Sequence, residues 1–278
     1  MTHTPEPAPQ PIQPDSAPPD SDTRRDFIVE IPPALIEALH RARSVAVLTG
    51  AGISAESGIP TFRDAQTGLW SRYRPEELAT PAAFEQNPRL VWEWYAWRRE
   101  LISRARPNPG HLALAEMETR LPHFTLITQN VDGLHQRAGS GKAAPLIELH
   151  GNIQRVKCYQ ENRVVDRWQE TDDPPPRCPH CGGWLRPDVV WFGEPLPWEA
   201  LAAAQAAARA CEIFFSIGTS ALVEPAASLP LLALRRGARL VEINLHETPL
   251  TPHATHFLPC AAGAALPALL RQTWSQGG

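Results

Sequence analysis

Four apolar runs of strand length, each ending in a polar, turn-prone tip, constrain this chain more than any other feature. They are "SVAVLT" (Ser44–Thr49) running into Gly50, Ala51 and Gly52; "HFTLIT" (His123–Thr128) running into "QNVDG"; "CEIFFSIG" running into "TSA"; and "ARLVEI" running into "NLHE". Runs with no alternation of polar residues suit strands covered on both faces, as in parallel sheets. Between them lie "IPPALIEALHRAR", "PAAFEQNPRLVWEWYAWRRELISRA", "PGHLALAEMETRL" and "PWEALAAAQAAARACE", all with helical patterning. Strands alternating with helices predict an α/β fold with a parallel sheet and helices on both faces. In such sheets a ligand binds outside the carboxyl ends of the strands, which is where the four polar tips fall.

The rhythm breaks twice. Residues 1–26, "MTHTPEPAPQPIQPDSAPPDSDTRRD", are rich in Pro, acids and small polar residues and bury too little apolar surface to offset ordering entropy, so a disordered tail is expected. A folded domain is expected over 27–278. Within it, the stretch from about 152 to 188 holds prolines, glycines and paired cysteines and reads as a small inserted module.

Charge and cysteine usage narrow the function classes. The net charge is -4, and Glu6, Asp15, Asp20 and Asp22 precede the first Lys or Arg, so the folded part is near neutral. No basic field is present to hold a nucleic acid or an anionic membrane by charge alone. Neither a signal peptide nor a run long enough to span a bilayer is visible, and five cysteines, an odd number, argue against a disulfide framework. A cytoplasmic protein is expected, monomeric by default.

"LTGAGISAESGIPTFR" (Leu48–Arg63) places Gly50 and Gly52 where a strand ends, so that backbone can approach a phosphate and present N–H groups to it. The spacing departs from G-x-G-x-x-G, because the next glycine is Gly58. Taken alone, the segment is either a dinucleotide site or a tight strand-to-helix turn. Joined in order to "TQNVDGLH", "ELHGN", "VVWFGE", "IGTSALVEP" and "INLHE", it resembles the sirtuin, or Sir2-type, family of NAD-dependent protein deacylases, over roughly residues 30 to 270.

The resemblance implies a Rossmann-like NAD-binding part with a small zinc-ribbon-like module, and a reaction. An acylated lysine of a protein substrate enters the cleft, its acyl oxygen attacks C1′ of the nicotinamide ribose, and nicotinamide leaves. Deacylated lysine and O-acyl-ADP-ribose are the other products. His150 is implied as the general base, a task suited to an imidazole that titrates near neutral pH, with Asn130 as a second catalytic residue. Gly50, Ala51, Gly52, Ser54, Arg63, Gln129, Asn130, Asp132, Gly218, Thr219, Ser220, Asn244 and Cys260 are implied cofactor contacts. Phe192, Gly193 and Glu194 match the segment that pairs with substrate backbone, a β-augmentation mode that asks little of the peptide sequence.

"WYAWRR" carries a finer expectation. Tyr95 and Arg98, three apart, share one helix face. This Y-x-x-R resembles the signature of class III sirtuins, in which the phenol and guanidinium bind the distal carboxylate of a malonyl, succinyl or glutaryl group. An arginine fork matches a carboxylate bidentately. Ala83 agrees with a roomy acyl pocket. The alternatives are a sirtuin that mainly removes acetyl or transfers ADP-ribose and, from another class, a non-catalytic NAD or ADP-ribose sensor. An intact His150 and "QNVD" argue against the sensor.

The chain departs from the family at the structural zinc, which usually takes two cysteine pairs. Cys178 and Cys181 form one pair, while Cys158 stands alone with Glu161 where its partner would be. Three thiolates with Glu161 or His180 could close a zinc site. Otherwise the module is held by packing of Trp168 and Trp184, with no metal.

Overall fold

The computed structural model describes residues 29–60 and 73–274. The acidic tail expected to be disordered, and Arg63, an expected cofactor contact, lie outside the described residues. A parallel six-stranded sheet is built from β1 (Ser44–Thr49), β2 (His123–Thr128), β3 (Leu146–Glu148), β6 (Ile213–Ile217), β7 (Arg239–Ile243) and β8 (His256–Leu258), in the order β3-β2-β1-β6-β7-β8. A separate antiparallel pair joins β4 (Gly151–Cys158) to β5 (Leu185–Val189). The strand order reverses between β1 and β6, the kind of position that opens a crevice for a ligand.

The four apolar runs are the four central strands, and their lack of alternation has the cause assigned to it. In β1, Val45 and Val47 enter one core while Ala46 and Leu48 enter the other. The first core is completed by α1 (Pro33–Arg41), α6 (Pro109–Arg120) and α10 (Ala262–Trp274), through Leu35, Leu114 and Leu269 among others. Ala204 of α8 (Trp198–Ala210) and Leu229 of α9 (Leu229–Arg235) cover the opposite face. β3 and β8, three residues each, are edge strands too short to stand out in the sequence.

The long helical segment beginning at Pro81 is divided. Asn87 ends α4 (Pro81–Gln86) and caps α5 (Pro88–Arg104), its side chain accepting from the Leu90 amide at 3.1 Å, because Pro88 cannot continue the first helix but fits the first turn of the second. A cap of this kind contributes about 1 kcal/mol. These helices do not cover the large sheet. Phe84, Val91, Trp94 and Tyr95 pack with Ile153, Val189 and Trp191, so α4 and α5 join the β4/β5 pair in a second layer. On another side of α5, Trp92 packs with Val156, Val165 and Leu185 and meets Trp168 edge-on at 5.5 Å. Among the described residues, no helix is long and apolar enough to cross a membrane.

Candidate active site

The strand tips meet backbone to backbone. Gly50 donates to the Ile217 carbonyl at 3.0 Å and Gly52 to the Gly218 carbonyl at 2.8 Å. A Cβ on Gly52 would sit 2.7 Å from Gly218 Cα, and Gly218, at φ +57°, would place its own Cβ 2.4 Å from the Ile53 amide nitrogen. Side chains are thus excluded from the junction by contact with backbone, and the turn leading from β1 through Ala51 into α2 (Gly52–Ala55) lies directly against the β6 tip. The Gln129 amide donates to Thr219 Oγ1 at 3.0 Å, and the Asn244 amide to the Thr219 carbonyl at 2.9 Å. Four loops therefore form one hydrogen-bonded rim, with half-buried Ser220 beside it. Cys260 stands apart, just beyond β8, where burial first and the Glu56 charge second push its thiol up.

His150 occupies the link between β3 and β4. Its Nδ1 lies 3.0 Å from the Gln129 carbonyl, which can only accept, so Nδ1 carries the proton and Nε2 the lone pair. Burial lowers its pKa below 6.5, with the bond to Gln129 acting in the opposite sense. The imidazole is consequently neutral at neutral pH, the state in which it can take a proton.

A buried polar network lies beneath. Ser54 donates to Asp132 Oδ2 at 2.7 Å and accepts from Asn130 Nδ2 at 3.1 Å. Asn130 Nδ2 also donates to the Gly50 carbonyl at 3.1 Å, so its remaining side-chain polar atom for a ligand is the carbonyl oxygen. Asp132 Oδ1 accepts from the Leu134 amide at 2.8 Å. Burial raises the Asp132 pKa, against the pull of those hydrogen bonds and of the Arg137 and Arg98 charges.

His111 and His135, which sequence reasoning did not single out, support this network. Their rings stand 4.8 Å apart; His111 Nε2 is 3.5 Å from Ser54 Oγ, and His135 Nε2 is 2.9 Å from Thr49 Oγ1. Burial lowers both, His111 to about 4 and His135 to about 3 with a smaller contribution from His111. The available signal was a histidine three residues after Asn108 in "NPGH", where it completes a capping box.

Tyr95 and Arg98 lie on the inner side of α5. Tyr95 is 2% exposed, and its hydroxyl accepts from Trp191 Nε1 at 3.0 Å. Arg98 stands with its guanidinium carbon 5.1 Å from the Trp94 ring centroid. Burial lowers its pKa, while the neighbouring Tyr95 phenol and the Asp132 charge act to raise it, which places Arg98 within electrostatic reach of the "QNVD" tip. Ala83 packs partly buried on the same cluster. Arg98 of the Y-x-x-R pair is therefore within electrostatic reach of the polar tip after β2, with Tyr95 one turn away on the same helix.

The Phe192–Glu194 segment is a tight turn, closed by the Glu194 amide donating to the Trp191 carbonyl at 3.0 Å. Phe192 is 44% exposed and its amide donates to the Ala79 carbonyl at 2.9 Å; Gly193 has φ +88°. Glu194 turns inward, where its carboxylate takes two bonds from Arg186, at 2.5 and 3.0 Å, and one from the Trp191 amide at 2.8 Å. Burial acts to raise the Glu194 carboxyl, but the Arg186 guanidinium and the Trp191 amide more than offset it and hold it below its usual range. Glu194 is thus committed within the protein, and Phe192 is the exposed side chain of the turn.

In the inserted module, one ligand atom each from Cys158, Glu161, Cys178 and Cys181 lie within 4.8 Å of one another. Cys158 and Cys181 sulfurs are 3.4 Å apart, and the Glu161 amide points at Cys158 Sγ at 3.4 Å. Three sulfurs and one carboxylate make a donor set that suits zinc in number and type. Between the two candidate fourth ligands, the fold brings Glu161 to the thiols and leaves His180 exposed.

The Sir2 family model matches residues 50–225. An NAD-dependent protein deacylase of Aquifex aeolicus is 55% identical over 216 residues, covering 77% of this chain and 89% of that protein. A crystal structure of a Sir2 homologue–NAD complex is similar at 46% identity and a TM-score of 0.81, over 88% of this chain and 95% of the other. A Sir2–p53 peptide–NAD+ complex is similar at 32% identity and a TM-score of 0.73, over 86% and 97%.

Proposed function

The chain belongs to the Sir2 family and is an NAD-dependent protein deacylase; from that premise we propose that its acyl pocket is built for lysines carrying short acidic acyl groups, succinyl and malonyl above acetyl. The observation that carries this reading is the pairing of Tyr95 and Arg98 on the inner face of α5, with the Arg98 charge felt at Asp132. An arginine fork matches a carboxylate bidentately, and the distal carboxylate of an acidic acyl group supplies that partner. Acetyl offers no such group.

NAD, when bound, supplies a nicotinamide leaving group and a ribose that accepts the acyl group. Gly50, Ala51, Gly52, Gly218, Thr219, Ser220 and Asn244 would hold it at the rim, where side-chain-free backbone and the small Thr219 and Ser220 side chains leave room for a polyanion; the Gly50, Gly52 and Gly218 N–H groups are themselves bonded to backbone carbonyls. Asn130 and Asp132, fixed by Ser54, orient amide and hydroxyl groups in the cleft. His150, with Nδ1–H committed to Gln129, takes a hydroxyl proton at Nε2. The Phe192–Gly193 backbone pairs with the acylated protein substrate. Cys158, Glu161, Cys178 and Cys181 would hold a zinc ion that ties the module together, away from the reacting groups. Five unpaired thiols suit a reducing, cytoplasmic compartment.

The test is kinetic: one peptide bearing succinyl-lysine or acetyl-lysine, with NAD, for the wild type and for Arg98→Met. A strong succinyl preference that Arg98→Met removes while acetyl turnover persists supports the reading. A wild type that favours acetyl refutes it and makes the enzyme a deacetylase.

A further inference from the structure

We infer that Trp191 is a specificity-determining positioning residue, which fixes the Tyr95 hydroxyl as a donor toward the acyl group. An indole N–H only donates, so at 3.0 Å from Trp191 Nε1 the Tyr95 oxygen must be the acceptor. The phenol has a single proton, and with that lone pair occupied, the proton is directed to the remaining side of the oxygen. A hydroxyl so arranged is matched to an acceptor such as a carboxylate.

Trp191 is itself rigidly held. It is 1% exposed, its amide donates to Glu194 Oε2 at 2.8 Å, and the Arg186 guanidinium carbon lies 3.2 Å from its ring centroid on a residue only 2% exposed. The Tyr95 ring stacks on it at 6.4 Å and 30°. Arg186, Trp191 and Tyr95 form a buried series clamped by Glu194, so the indole direction is set by packing and not by the ligand. Burial, partly opposed by Arg98 and by the indole bond, pushes the Tyr95 phenol up to about 12, and it keeps its proton at any working pH. A phenol that already accepts one hydrogen bond donates a stronger one, by about 10–30% in condensed-phase estimates.

The inference rests on the acidic-acyl reading, and one experiment separates the two. The ratio of kcat/KM for succinyl-lysine over acetyl-lysine peptide is measured for the wild type, Arg98→Met, Trp191→Phe, Tyr95→Phe and the double Trp191→Phe/Tyr95→Phe. The expected result is a fall of about tenfold in the ratio for Trp191→Phe, the equivalent of about 1.4 kcal/mol. Tyr95→Phe should give a similar fall, and the double variant no further one, because Trp191 acts on the acyl group only through the hydroxyl that Tyr95→Phe removes. If Trp191→Phe lowers both substrates alike, or leaves the ratio unchanged while Arg98→Met collapses it, Trp191 is merely structural and the inference fails alone. If the wild type shows no succinyl preference, the acidic-acyl reading itself fails. A second measurement uses the wild type: the Trp191 indole N–H resonance, identified by its loss from the hydrogen-bonded position in Tyr95→Phe, should move further downfield with succinyl peptide, but not with acetyl peptide. Equal response to both peptides overturns the inference.

Discussion

His150 Nδ1 and the Gln129 carbonyl oxygen lie 3.0 Å apart, and this contact decides which ring nitrogen can act as a base. As the proposed base, His150 would work in its neutral form, so activity should be complete above its folded pKa and fall as pH drops through it. Burial, the larger influence, lowers that pKa from 6.5, with the Gln129 bond opposing. The acid limb of the acyl-transfer rate in single turnover should therefore have its half-point below pH 6.5. A half-point above it, or less than about a hundredfold loss in His150→Ala, contradicts the assignment.

Metal analysis should find one zinc per chain, lost with a drop in melting temperature on chelation. Carboxylate replaces thiolate at one corner of the cluster, so Glu161→Cys should slow the loss of zinc to a chelator and Glu161→Ala should hasten it. His180→Ala should behave as wild type. In cobalt-substituted protein, Glu161→Cys should strengthen the thiolate charge-transfer absorption. A spectrum that responds to His180→Ala and not to Glu161 variants would assign the fourth ligand to the histidine.

The stacked histidines predict acid lability. His111 and His135 are lowered to about 4 and about 3, so both are neutral in the fold above those values, while in the unfolded chain they take up protons below about 6.5. Their contribution to stability is full above pH 6.5 and is lost as pH falls toward 4, by about 1.4 kcal/mol per pH unit for each proton the unfolded chain binds in excess. Urea unfolding between pH 7 and 4.5 should show this slope, and His135→Asn should make it shallower. An unchanged slope would mean that the pair titrates alike in both states.

The sheet was legible because its central strands are apolar on both faces, a pattern that a long run such as "EIFFSI" cannot satisfy at a surface. The rim was legible because Gly50, Gly52, "QNVD" and Asn244 are polar or side-chain-free at strand ends, where the fold has a use for them. The assignment of α4 and α5 to the second layer was not, since an amphipathic helix shows that it has a buried face and not what covers it. Trp191 and Arg186 were equally hidden: in sequence a tryptophan beside a strand reads as core, and only the 3.0 Å contact to Tyr95 gives it a direction. Glu161 could be named as one of two ligands, but choosing between it and His180 required the turn that carries Cys158 and Glu161 together.

His150 sits between Glu148, the last residue of β3 in the large sheet, and Gly151, the first of β4 in the second layer, with its own carbonyl accepting from the Val190 amide at 2.9 Å. The residue proposed as the proton acceptor is thus a keystone, tied to the large sheet on one side and by main chain to the second layer on the other, so its station depends on the packing of both.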